Sequence, residues 1–395
     1  MKREAGFTLV ELLTAIAVMA VILAATVGAL TSAVQTTQAV TMMADTQENL
    51  RAGMNYMIRD LIQAGEGIPQ NGLTIPNSGG GTPTSNVNTP GPGATTFSTT
   101  WTSLPAVMPG FQTGPTTTTS GVATDTVTIL YADSTLVNNN GTTVSWLNKY
   151  PINSTTNCPA GSITTVGTTT TVIFDPTCVN INTGNTAIHV GDLIMLQNNN
   201  TTTVDMSTAA TNTSTTDSNG HVALLYVSST NLAANQIQFL TGDPFNLNNS
   251  GQPVGTIAGI QSSTSPIAYG NPVTATRIWM VTYYINNANP QIPMLMRQVN
   301  MNAPQAVGEV IENLQVFYDI LNPGASPPAL LANGAGSTQW ESIPAGDNPY
   351  IRDAYIILSA RSDSLLMLSK QTQYFRNNLS TVVSMRGLDF YNKFQ

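Results

Sequence analysis

The chain has 395 residues, 41% of them apolar, enough for one large domain or two ordinary ones with a true core. Only 9% are charged, against roughly 25% in a typical soluble domain, so the polar surface must be built from Thr, Ser, Asn and Gln. A net charge of −8 leaves no basic face for phosphate contacts and argues against a nucleic-acid partner.

The first element is the stretch GFTLVELLTAIAVMAVILAATVGAL, from Gly6 to Leu30. From Leu12 to Leu30 only Thr14, Thr26 and Gly28 interrupt the apolar run. With Phe7 it makes ~36 Å of helix at 1.5 Å per residue, enough to span a bilayer. Lys2 and Arg3 precede it, which keeps the N-terminus cytoplasmic and sends the rest outward. A secretory signal peptide normally has a shorter apolar region ending in a small-residue cleavage site. A plain single-pass anchor leaves Glu11 unexplained, because a lone carboxylate in an apolar span costs a few kcal/mol unless it finds a partner.

The run Gly6-Phe7-Thr8-Leu9-Val10-Glu11-Leu12-Leu13 resembles the start of type IV pilins and type II secretion pseudopilins. The resemblance implies a leader, residues 1–6, cut after Gly6 by a prepilin peptidase. It implies N-methylation of the new first residue, Phe7. It also implies that Glu11 meets the N-terminal amine of a neighbouring subunit, and physics supports that pairing. A buried cation and a buried carboxylate offset each other's desolvation. Residues 7–30 are then the membrane and assembly half of a longer helix.

Residues 31–65 continue that helix. Leu50, Met54, Met57, Ile58 and Leu61 fall on one face. That stripe reads as core packing against a globular domain. Asp45, Glu48, Arg51, Asn55, Arg59 and Asp60 fall on the other faces. Gly65, Gly67 and Pro69 end the helix, giving an expected Phe7–Ala64 of ~87 Å. The stretch from Asn49 to Gly65 resembles the same region in PilW-type minor pilins.

Residues 66–122 are rich in Gly, Pro, Thr and Ser and read as a loop-like insertion, with Trp101 and Phe111 as expected anchors. The glycines at 79–81 lack the Lys-Ser/Thr of a phosphate loop. From 123 to 395 the period changes to strands. Expected strands are Thr126–Tyr131, Thr170–Phe174, Leu193–Gln197, Ala223–Ser228, Gln236–Leu240, Arg277–Ile285, Met294–Val299, Val310–Asp319, Tyr355–Ala360 and Leu379–Met385. One long helix followed by such strands predicts an α+β chain with a large antiparallel β-sheet domain, a type IV pilin-like fold. Short phrases at Asp125–Tyr131, Val190–Ile194, Val310–Val316 and Ser384–Arg386 resemble the PilW-type pattern in order.

Cys158 and Cys178 are the two cysteines. With an exported domain, a disulfide closing a loop of about 20 residues is expected, contributing roughly 3 kcal/mol. Two unpaired buried thiols are the alternative. The Asn-rich runs at 138–140, 198–200 and 246–249 read as solvated hairpin tips. Asp243 with Asn246, Asn248 and Asn249 hints at calcium without the EF-hand spacing. His189 and His221 stand in turn-like contexts without metalloprotease or nucleophile-elbow spacing. No enzyme, cofactor or metal is expected.

The resemblance implies a minor pilin of a type IV pilus that helps initiate assembly near the tip. The implied partners are other minor and major pilins, the prepilin peptidase and the inner-membrane assembly platform. The implied location is the inner membrane, with the domain facing the periplasm, and then the pilus outside the cell. A J-type pseudopilin of type II secretion and a pilus-mounted adhesin are the alternatives.

Overall fold

The structure is a computed structural model. It describes residues 8–69, 72–76, 87–92, 103–117, 121–133, 150–151, 162–166, 168–174, 176, 181, 188–198, 222–249, 255–256, 273–322, 329–333, 337–342, 350–368 and 371–385. Residues such as Gly6, Phe7, Trp101, Cys158, Cys178 and His221 lie outside them.

Helix α1 spans Leu9–Gln63, 55 residues without a break. Its sequence is richest in Ala, Leu, Thr and Val and contains no proline. Gly28 sits in open space and does not interrupt it. The threonines of the apolar half fold their hydroxyls back onto the helix: Thr26 Oγ1 donates to the Ile22 carbonyl at 3.0 Å and Thr31 Oγ1 to that of Val27 at 2.8 Å. These polar groups are thereby satisfied without a partner outside the helix. Gly65, with φ +82°, turns the chain away. The Gly65 and Ala132 amides then donate to Leu130 and Glu66 carbonyls, pinning the exit to the first sheet.

That sheet contains β1 (Val107–Gly110), β2 (Thr126–Ala132), β3 (Leu193–Asn198), β4 (Val222–Tyr226), β5 (Val273–Asn286), β6 (Met294–Val299) and β7 (Gln305–Glu309), all antiparallel. β5 is its spine. Along one edge it pairs first with β3, through Val273–Ile278, and then with β6, through Val281–Asn286. β2 pairs on the other edge. Asn300 fills the gap between β3 and β6. Its Oδ1 accepts the Met280 amide at 3.0 Å, and its Nδ2 donates to the Gly191 carbonyl at 3.3 Å.

The second sheet is β8 (Ile311–Asn322), β9 (Ile351–Arg361) and β10 (Arg376–Ser384), with short strands Ala329–Leu330 and Gln339–Trp340 beside β8. Val310, at φ +56°, carries the chain from β7 into β8. A smaller sheet of Ser162–Val166, Thr169–Ile173, Ser229–Asn231 and Gln236–Leu240 has its own core around Phe174, Val227 and Phe239. This is an α+β architecture: one long helix followed by a large antiparallel domain. Each of the expected strands overlaps an observed one.

Every residue of β2 is buried, because both faces of the first sheet are covered. Val127, Ile129 and Tyr131 face α1 and the second sheet, with Val281, Tyr283 and Ile285 of β5. Leu130 and Ala132 face the opposite way, against Leu73, Ile75, Val87 and Leu104. The Gly/Pro-rich segment at 66–122 therefore covers this core face together with Phe245 and Leu247. Its anchors are these aliphatic residues and not Phe111, which is 38% exposed. At Gly72, with φ +78°, a Cβ would stand 2.2 Å from the Leu104 carbonyl oxygen, so the strand pair Leu73–Thr74 with Ser103–Leu104 requires glycine there.

Candidate functional site

α1 divides into two halves with different surroundings. From Thr8 to residue 38 every residue is exposed, ~45 Å of helix that no other described element covers. Leu9, Val10, Leu12, Leu13, Ile16 and Val21 are among the bare side chains of this half. Such a surface is stable only against lipid or other apolar helices. This helix is long and apolar enough to cross a membrane.

Glu11 stands at the start of that half. Thr8 is the N-cap: its Oγ1 accepts the Glu11 amide at 3.3 Å. In return Glu11 Oε2 accepts the Thr8 amide at 3.0 Å and the Thr8 hydroxyl at 2.9 Å. This reciprocal box satisfies amides that the first helical turn leaves unpaired. It also places a carboxylate at the positive end of the helix dipole. Both bonds use Oε2, and the carboxylate remains at the exposed surface, where a cation from another chain can reach it.

The second half of α1 lies in the cleft between the two large sheets. Leu50, Met54, Met57 and Leu61 are buried among Leu295, Ile311, Leu314, Val316 and Leu358, and Ile58 is partly buried beside them. Gly53 lets the backbone approach closely. A Cβ there would lie 2.9 Å from Leu295 Cδ2 and 3.1 Å from Ile311 Cδ1.

Asp60 departs from the sequence expectation. Its position on the helix suggested a solvated face, yet the residue is 1% exposed. Oδ2 accepts the Tyr283 hydroxyl at 2.6 Å and Arg297 Nε at 2.6 Å; the Tyr131 hydroxyl lies 3.5 Å from Oδ1. Three strands, β2, β5 and β6, thus converge on one helical carboxylate. Burial pushes the Tyr131 hydroxyl up to about 12, helped by the Asp60 charge. The same two causes raise Tyr283. Burial opposes the Arg297 charge, but the hydrogen bond and charge of Asp60 outweigh it and raise the Arg297 pKa. Periodicity could not find this residue, since a buried ion pair breaks the apolar pattern it relies on.

Other singled-out polar residues do structural work. Asp243 accepts the amides of Phe245, Leu247 and Asn248, and Asn248 clamps Tyr226, Ser228 and Leu240. The 243–249 loop is organised by its own backbone. His189 donates its amide to Asp192 at 2.9 Å, and Asp192 with Asp133 flanks the buried Arg277. Asp125 ties the sheets together. It accepts the amides of Gln112 and Val316, while burial pushes its carboxyl up. Among the described residues no group of three His, Cys, Asp or Glu side chains could hold a metal.

No curated protein and no solved structure matches this chain. Residues 1–27 match the family model described as the prokaryotic N-terminal methylation motif, which implies prepilin-type processing and supports a type IV pilin or pseudopilin.

Proposed function

We propose that this protein is a minor pilin that enters a type IV pilus and helps to initiate its assembly near the tip. The observation that carries this reading is the bare half of α1: continuous, apolar, carrying one accessible carboxylate at its first turn. Cleavage between Gly6 and Phe7 would create a cationic, N-methylated amine. Glu11 of one subunit would take the amine of the next, and apolar helix faces would supply most of the cohesion, at about 25 cal/mol per Å² buried. The protein would wait in the inner membrane with its N-terminus cytoplasmic. Its domain would face the periplasm until extrusion carries it outside. The large domain favours low copy number over repetition at every position of a fibre.

The test is Glu11→Ala expressed in place of the native chain. We expect a stable, membrane-inserted protein that is recovered from sheared fibres at least about tenfold less than the native one. That loss equals about 1.4 kcal/mol per incorporation event. Equal recovery would contradict the ion-pair step. Fibre number in a strain lacking the protein separates the two pilus roles. A primer predicts few or no fibres, and a pure adhesin predicts normal fibres that fail to attach.

A further inference from the structure

Strand edges carry unpaired amides and carbonyls, and folded domains blunt them with prolines, bulges, charges or cover. Among the described residues, most edges of the two large sheets follow that rule. β1 is four residues long and contains Pro109. β4 is capped by Asn248, whose Oδ1 accepts the Tyr226 amide at 2.8 Å while its Nδ2 donates to the Tyr226 carbonyl at 2.7 Å. β7 meets β6 with a register shift between Leu295 and Met296. The outer edge of β8 is covered by Asp125, which accepts the Val316 amide and donates its own to the Leu314 carbonyl. The strands Gln339–Trp340 and Ala329–Leu330 cover the rest of it.

β10 does not follow the rule. Its nine residues hold an unbroken register with β9. It contains no proline, and its one charge is Arg376 at the start. Just past its end, the Met385 amide donates to the Arg352 carbonyl at 3.1 Å. Antiparallel alternation then turns the backbone of Thr381 and Val383 towards β9, and that of Asn378, Ser380, Val382 and Ser384 towards the open edge. Asn377 Oδ1 takes the Asn378 amide at 2.9 Å. For Ser380, Val382 and Ser384, no strand among the described residues supplies a partner. Val382 is 53% exposed and stands in one cross-strand row with Tyr355 and Phe317, on the face turned away from α1. Ser380 and Ser384 on either side of it are small and leave room for larger side chains.

We propose that Ser380–Ser384 is a strand-addition site, where an extended segment of a neighbouring pilin subunit pairs with β10 and lengthens the second sheet. The chemistry recognised is an uncharged extended backbone with an apolar side chain that meets Val382 and continues the row from Phe317. Leu379 and Val383, on the other face of β10, pack with the core that holds Leu50 to Leu61 of α1. The edge therefore lies along the gripped half of the helix. A subunit whose helix packs beside α1 brings its own domain to this edge, so the site rests on the reading of α1 as an assembly element.

The test changes Val382 in the full chain. Val382→Pro removes the outward amide without removing a bond to β9. Val382→Thr keeps the amide and the branched shape. Both variants are expected to unfold in detergent at the native midpoint. In sheared fibres Val382→Thr is expected to be recovered like the native chain, and Val382→Pro at least about tenfold less. Hydrogen exchange of the native chain in detergent should be fast at the Val382 amide and slow at Val383. Slow exchange at Val382, or a lowered midpoint for Val382→Pro, shows that this amide is already paired within the chain and contradicts the proposal. Equal losses for Val382→Pro and Val382→Thr assign the contact to the side chain and contradict strand pairing. Native recovery of Val382→Pro beside a depleted Glu11→Ala overturns the edge site alone. Absence of the native chain from fibres overturns the assembly reading and the edge site together.

Discussion

Asp60 is the residue on which the joint between helix and domain turns. Its carboxylate receives Tyr283 and Arg297 inside the core. Removing it leaves a part-buried guanidinium and the buried Tyr283 hydroxyl without their acceptor, and losses of this kind reach about 3 kcal/mol. Denaturant unfolding of Asp60→Ala in detergent is expected to show a midpoint lowered accordingly. The ring of tyrosines also sets an alkaline limit. Tyr131 is raised from its ordinary value of 10 to about 12, so its contribution is complete below pH 10 and is lost as the pH rises through about 12. Thermal melts should therefore fall across that window, and Tyr131→Phe should flatten the fall. A buried aspartate among Arg59, Asn55 and Arg51 was not legible in the sequence. Its partners sit on strands more than 70 residues away, and helical position alone assigns it to water.

The helix was the most legible element. Its apolar stripe from Leu50 to Leu61 is buried as expected, its bounds differ from expectation by one or two residues at each end, and Gly65 stops it. The close approach at Gly53 was silent in the sequence, because a glycine within a helix ordinarily counts only as a weakness. Here it makes room for Leu295 and Ile311. Gly53→Leu would drive four more carbons into that contact, and overpacking of this kind costs about 1–3 kcal/mol. A variant as stable as the native chain in the same unfolding experiment would show that the cleft between the sheets is looser than the packing indicates. The strands were legible through alternation and turn residues. The 66–122 segment was not, because its few aliphatic residues, Leu73, Ile75, Val87 and Leu104, are scattered among Gly, Pro and Thr. They meet against one face of the first sheet, a contact that sequence spacing does not show.

At the scale of the molecule, the chain is a rod and a domain with opposite solvents. The rod's first half is apolar as far as Leu30 apart from Glu11 and a few threonines, and no other described element covers it. Its second half is gripped by two sheets and locked by Asp60. The features that the N-terminal methylation motif implies, and that the proposed assembly role needs, lie at positions 6 to 11, within the matched residues 1–27. The domain's role was hardly legible, since its polar residues, Asp125, Asp192, Asp243 and Asn300, are consumed in holding loops and sheets together.

The proposed function requires the first half of α1 to be a processed assembly element. Mass spectrometry of purified fibres tests it most directly. This chain is expected at low abundance, with an N-terminal peptide beginning at Phe7 and carrying one methyl group. A chain in those fibres that still begins at Met1 would contradict it.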